Sequence, residues 1–142
     1  MKSWENLRVR NPIRHKAYRI KMSLRTMKVK DAWTLDEVYD KICRPIVCPY
    51  CEVTVQFESL SLDHIIARSE GGADHISNIQ FTCLRCNMLK GKLNDSEFRR
   101  LLVIMRQCPE LITIYEKRIS PSLKYWERCI SKKRKYNYVC VK

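Results

Sequence analysis

Two Cys-x-x-Cys pairs, Cys48-Pro-Tyr-Cys51 and Cys83-Leu-Arg-Cys86, constrain this chain more than any other feature of its sequence. Thiolates at this spacing turn both sulfurs toward one ion, and two pairs complete a tetrahedral four-cysteine zinc site with no open position. The 31 residues between Cys51 and Cys83 exceed the span of a simple ribbon finger. Such a site ties the turn around the first pair to the start of a helix bearing the second, and the chain between projects outward. Metal binding there is folding free energy, which staples a unit whose own core is small. Four buried thiols, or a redox pair, are the alternatives. Cys43, Cys108, Cys129 and Cys140 have no partner at ligand spacing and read as core or incidental cysteines.

The cysteine reading depends on compartment. No apolar h-region follows the charged start MKSWENLRVRN, so no secretory signal is expected. The longest aliphatic run, Leu101 to Met105, is too short to cross a bilayer. A soluble, intracellular protein is expected, with reduced thiols that serve as metal ligands or lie buried rather than forming disulfides.

Charge adds a second constraint. The 142 residues carry 28 Lys and Arg against 15 Asp and Glu, a net charge of +13. Residues 1–30 hold ten basic side chains opposed by Glu5 alone, and a second basic cluster runs from Lys117 through Lys132-Lys133-Arg134-Lys135. Basic flanks around a nearly balanced centre suit a polyanion lying across the protein, with Arg14, Arg19, Lys132, Lys133 and Arg134 as candidate phosphate contacts. Solvated helix faces are the plainer alternative.

The order of elements reads as α+β. Arg14 to Lys28 allows a helix with a stripe through Tyr18 and Met22. Leu35 to Ile42 reads as a second, capped by Thr34 with Glu37 completing a capping box. Glu52–Phe57 and Leu60–Ile66 read as a hairpin turning at Glu58-Ser59, Ser69–Ser77 as a loop, and Asn78–Thr82 as a further short strand. Cys83 opens a helix that Gly91 weakens, and Asn94 with Glu97 caps another. Pro109 and Pro121 are expected to divide the remainder into short helices. Three regions follow: 1–47 basic and helical, 48–92 a zinc-framed ββα core, and 93–142 helical with a basic tail.

Between the cysteine pairs lies SLDHIIARSEGGADHISNIQFT. Asp63 and Asn87 offer oxygen ligands, and a zinc staple that folds hairpin and helix together lets both converge on one hard cation such as Mg²⁺ or Mn²⁺. His64 suits a general base acting on water, since an imidazole can take up a proton near neutral pH. Asn78 is placed to hydrogen-bond and orient the imidazole. Lys90, one helical turn after Asn87, is a candidate phosphate contact, and so is His75 in the loop. Taken singly, each of these residues also has an ordinary structural use, such as a turn or cap residue or a satisfied buried histidine.

The stretch LDHIIARSEGGADHISNIQFTCLRCNMLK resembles the HNH endonuclease family over roughly Cys48 to Lys92. The resemblance implies a ββα-metal fold that cleaves DNA, double-stranded by expectation, leaving 5′ phosphate and 3′ hydroxyl ends. It also implies that His64 activates water, Asp63 and Asn87 bind the catalytic ion, and Asn78 orients His64. Asn87 stands where a literal H-N-H has its last histidine, which goes with Mg²⁺-type ions rather than nickel or zinc. The segment after the motif looks like small phage and mobile-intron HNH proteins. One site cuts one strand, so a double-strand break requires a second visit or a homodimer on DNA. Two rivals are a non-catalytic zinc module binding nucleic acid, and an adaptor docking through apolar C-terminal helices.

Overall fold

A computed structural model describes residues 10–133, with side chains as far as 125. Helix α1, Pro12–Thr26, begins at Asn11, whose side chain accepts the Arg14 N–H, with proline in the first turn where no N–H is needed. Its buried stripe is Ile13, Ala17, Ile20 and Leu24, the i, i+4, i+7, i+11 face. Tyr18 and Met22, the expected stripe, stand beside that face and are only half buried. Helix α2, Leu35–Ile42, carries the expected capping box at Thr34 and Glu37 and buries Val38 and Ile42 against α1.

The expected hairpin of Glu52–Phe57 with Leu60–Ile66 does not form. Two small antiparallel sheets take its place. Strand β1, Ile46–Val47, pairs with β2, Thr54–Val55, so the first Cys-x-x-Cys lies in the turn between them. Glu52 takes a left-handed φ of 59° to close that turn. A single helical turn at Phe57–Ser59 then redirects the chain. Strand β3, Leu60–His64, pairs instead with β4, Ile79–Cys83, in the register Leu60↔Cys83 to His64↔Ile79. Alternation marked these segments as strands; the observed pairing brings the two cysteine pairs together and buries Leu60 and Ile79.

Helix α3, Leu84–Lys90, follows β4 directly and ends at Gly91, whose φ is +56°. It lies against β3 and β4 and completes the ββα unit. Helix α4, Asp95–Gln107, has the expected Asn94–Glu97 capping box and buries Phe98 and Met105. Pro109 does break the chain, but Pro121 does not: helix α5 runs from Pro109 to Lys133 through it. An interior proline costs about 3 kcal/mol. Packing of Tyr115, Ile119 and Leu123 on the core sustains the helix across that position.

One core cluster draws on α1, α2, the zinc turn, β3, β4, α3, α4 and α5, from Ile13 to Ile119. Cys43 departs from the expectation of unpaired thiols: it is disulfide-bonded. No helix among the described residues is long and apolar enough to cross a membrane.

Candidate functional site

The four cysteines of the two pairs converge. Their sulfurs all lie within 4.8 Å of one another, with Cys48 and Cys86 buried and Cys51 and Cys83 half buried. The Cys51–Cys83 sulfur separation is 3.8 Å. Four sulfurs at about 2.3 Å from a central zinc stand about 3.8 Å apart along each tetrahedral edge, so the cage fits that ion. The Cys86 backbone N–H donates to Cys83 Sγ at 3.3 Å. The Cys83 thiol is lowered to about 5, chiefly through its hydrogen bond with Cys86, while the same contact pushes the Cys86 thiol up. Cys83 is thus the cysteine most readily ionised, and a bound cation would favour the thiolate form of the others.

Tyr50, inside the first pair, carries the zinc frame to the rest of the site. Its ring packs edge-on against Phe98 with centroids 4.8 Å apart, and its hydroxyl donates to Asp63 Oδ2 at 3.2 Å. Gln80, opposite Asp63 in the β3–β4 register, donates from Nε2 to the same oxygen at 2.9 Å and to the Tyr50 hydroxyl at 2.6 Å. Burial first, and then the Asp63 charge, holds the Tyr50 hydroxyl far above the usual phenol range, so it remains a donor.

Lys90 is not a phosphate contact. Its side chain is 1% exposed, and its ammonium donates to Asp63 Oδ1 at 2.9 Å and to the His64 carbonyl at 2.6 Å. The helical spacing that puts Lys90 on the face of Asn87 turns both residues inward onto β3, where a carboxylate waits. Asn87 donates from Nδ2 to Ser61 Oγ at 2.6 Å and to the Leu62 carbonyl at 3.0 Å. These bonds fix the amide so that its oxygen is the atom left to accept.

Asp63, His64, Asn87 and Lys90 line one cleft of about 290 Å³, together with Arg68 and Lys92. An ionised carboxylate offers about four acceptor positions. Lys90 takes one on Oδ1, and Tyr50 and Gln80 take two on Oδ2. One acceptor position on Oδ1 and the Asn87 oxygen have no hydrogen bond assigned to them, and both residues line the cleft; a pair of hard oxygens suits Mg²⁺ or Mn²⁺.

The side-chain hydrogen bonds of Asn78 go to the loop backbone rather than to the imidazole. Asn78 closes a short helical turn, Ile76–Asn78, instead of beginning β4. Its oxygen accepts the Ile66 N–H at 2.9 Å, and its Nδ2 donates to the Ile66 and Ala73 carbonyls, each at 3.0 Å. It thus pins both arms of the loop following His64. The two loop glycines serve different ends. Gly71 has φ +81°, whereas a Cβ on Gly72 would come within 1.9 Å of the Ile66 carbonyl oxygen.

His75 is also occupied. Its Nε2 lies 2.8 Å from Asp31 Oδ2, and its Nδ1 lies 2.8 Å from Ser77 Oγ and accepts the Ser77 N–H at 3.1 Å. With both ring nitrogens engaged it is a loop anchor, not a phosphate ligand. Arg14 pairs with Asp36 at 3.1 Å on the surface, and Arg19 is exposed on α1. Lys132, Lys133 and Arg134 fall outside the described side chains. Sequence reasoning missed Tyr50, Gln80 and Asp74. Only Tyr50 had a signal, its place between two zinc ligands; the others become visible once register and loop path are known.

Residues 48–103, from the first zinc cysteine into α4, match the family model described as HNH endonuclease. That match agrees with the ββα-metal reading of the Cys48–Lys92 segment. No curated protein matches the chain significantly.

Proposed function

We propose, from the match of residues 48–103 to the HNH endonuclease family model, that this protein is a metal-dependent endonuclease hydrolysing DNA phosphodiester bonds. One observation carries the reading: Asp63, His64 and Asn87, scattered over 25 sequence positions, line a single cleft with basic residues at its mouth. Asp63 and Asn87 would hold a divalent ion, Mg²⁺ or Mn²⁺. That ion, when bound, supplies charge stabilisation at the phosphate and the leaving 3′ oxygen.

The chain's own residues do the rest. Tyr50 and Gln80 orient Asp63 from one side, and Lys90 compensates its charge from the other, so the carboxylate is preorganised. Asn87 is held by β3 with its oxygen presented. His64 takes the proton of the attacking water as the water oxygen bonds to phosphorus and the P–O3′ bond breaks; the leaving 3′ oxygen takes a proton from solvent water, giving a 5′ phosphate and a 3′ hydroxyl. Asn78 keeps the loop after His64 in one path. Arg68 and Lys92 meet the phosphate backbone, with the basic flanks extending that contact and fixing position rather than sequence. Double-stranded DNA is the proposed substrate, and a homodimer would allow both strands to be cut.

One feature favours the rival reading, a zinc-framed module that binds nucleic acid without cutting it. Asp63 is 5% exposed and already accepts three hydrogen bonds. The deciding experiment incubates the zinc-loaded protein and His64→Ala with supercoiled plasmid in Mg²⁺ or Mn²⁺, and measures DNA binding without either ion. The endonuclease reading expects cleavage by wild type, a loss of about 10²–10⁴-fold in His64→Ala, and binding unchanged within a factor of a few. Wild-type binding without cleavage in either ion moves the module reading ahead.

A further inference from the structure

His64 Nε2 and Asp74 Oδ1 are both buried atoms without a hydrogen-bond partner, and they face each other at 3.6 Å. Buried polar atoms nearly always find partners, so the unpartnered His64 Nε2 beside a carboxylate oxygen calls for an explanation. The His64 side chain is 15% exposed and Asp74 is 32% exposed, so water reaches the pair only at its edge.

Asp74 is anchored from three directions. Arg68 forms an ion pair through Nε, 3.0 Å from Oδ1, and donates from Nη2 to Oδ2 at 3.0 Å, gripping the carboxylate like a fork. The Asp74 carbonyl accepts the Lys30 N–H at 2.8 Å, and the Lys30 carbonyl accepts the Ile76 N–H at 3.0 Å. Two residues earlier, the close approach of Gly72 to Ile66 and the Gly72 N–H bond to the Ala67 carbonyl at 3.0 Å bring the loop under the imidazole. Asn78 ties Ala73 to Ile66 across the same gap. The loop is thus built to hold one carboxylate against one ring nitrogen.

We infer that Asp74 is a positioning residue for His64, holding the neutral imidazole in the Nε2–H tautomer so that Nδ1 keeps the lone pair that receives the water proton. The inference rests on the reading of His64 as general base. A separation of 3.6 Å is longer than a hydrogen bond. In enzymes without substrate such contacts are commonly long and tighten when the substrate is bound. A carboxylate behind the base histidine fixes ring orientation and tautomer in serine hydrolases, where the aspartate-to-asparagine change costs about 10⁴-fold in rate through the wrong tautomer. Here Asp74 performs that task from a loop, and Arg68 keeps its carboxylate from rotating away.

The test uses the full zinc-loaded chain and two readouts. Imidazole ¹⁵N shifts, recorded where His64 is neutral, report the tautomer without reference to activity. Wild type is expected to show Nε2–H, and Asp74→Asn, whose amide can donate to Nε2, is expected to shift the ring toward Nδ1–H. In Mg²⁺, Asp74→Asn should lower the cleavage rate at saturating DNA by about 10²-fold or more with KM unchanged within about 2-fold, and Asp74→Glu should recover part of that loss. An Nδ1–H ring in wild type overturns the proposal, even where the variant fails to fold. So does an Asp74→Asn protein with the wild-type tautomer and rate. Wild type that never cleaves, combined with an Nε2–H ring that Asp74→Asn shifts, leaves the positioning intact and overturns the endonuclease reading instead.

Discussion

Replacing Lys90 with methionine separates a buried ion pair from its charge while keeping most of the stem that packs beneath α3. Lys90 and Asp63 have side chains 1% and 4% exposed, with ammonium and carboxylate 2.9 Å apart. At an effective dielectric near 20, the attraction at that distance is about 6 kcal/mol before desolvation is deducted. Much of that attraction is offset by the cost of taking both charges out of water. Removing only the ammonium, however, leaves a buried carboxylate with two neutral donors, a defect that costs about 3–5 kcal/mol. For a chain of this length the midpoint of thermal unfolding should fall by on the order of 10 °C. Urea and thermal unfolding, followed by circular dichroism with free zinc fixed and magnesium omitted, measure the loss. Adding Asp63→Asn to Lys90→Met should restore much of it, with a coupling of about 1–3 kcal/mol. Magnesium should then stabilise Lys90→Met more than wild type, because a divalent ion can take over the compensating charge. A Lys90→Met protein within about 0.5 kcal/mol of wild type would refute the reasoning, since surface substitutions behave that way and buried charge pairs do not.

Cys86→Ala should unfold the ββα unit, because the zinc it helps bind contributes on the order of 10 kcal/mol of folding free energy; metal analysis should find one zinc per wild-type chain, and a stable zinc-free protein would contradict this. Gly72→Ala forces a Cβ to within 1.9 Å of the Ile66 carbonyl oxygen, so it should cost about 1–3 kcal/mol in urea unfolding and depress cleavage by moving the loop behind His64. Gly71→Ala meets no atom within 4 Å and carries only the strain of its φ of +81°, so it should be the milder change. Replacing Lys132, Lys133 and Arg134 together with alanine should flatten the salt dependence of DNA binding by about 0.9 in slope for each phosphate no longer neutralised, and an unchanged slope would mark that tail as a solvated face.

The capping boxes at Thr34 and Asn94 were legible because a cap depends on three neighbouring residues and nothing beyond them. Strand pairing was not. Thr54–Val55 and Leu60–His64 are adjacent in sequence and look like one hairpin, yet each pairs elsewhere. The stripe of α1 was misplaced by one helical step, because Tyr18 and Met22 are as apolar as Ala17 and Ile20 and only the packed partner selects a face. Pro121 was expected to end a helix and did not, since tertiary packing can outweigh a local penalty of about 3 kcal/mol.

The same division runs through the site. By itself the sequence determined the four-cysteine frame, since two Cys-x-x-Cys pairs have few other uses in a chain with so small a core, and it marked Asp63, His64, Asn78 and Asn87 as the residues of interest. Only the tertiary structure decided what each of them touches. Lys90 turned from a phosphate contact into the counter-ion of Asp63, Asn78 from a clamp on the imidazole into a clamp on the loop, and His75 from a surface contact into an anchor on Asp31. Asp74 acquired a task that no local pattern announced. Metal ligation and helix capping are set by spacing along the chain, which sequence displays directly. Hydrogen-bond partners across a register or a loop are set by distances between residues far apart in the chain, and those exist only after the chain has folded.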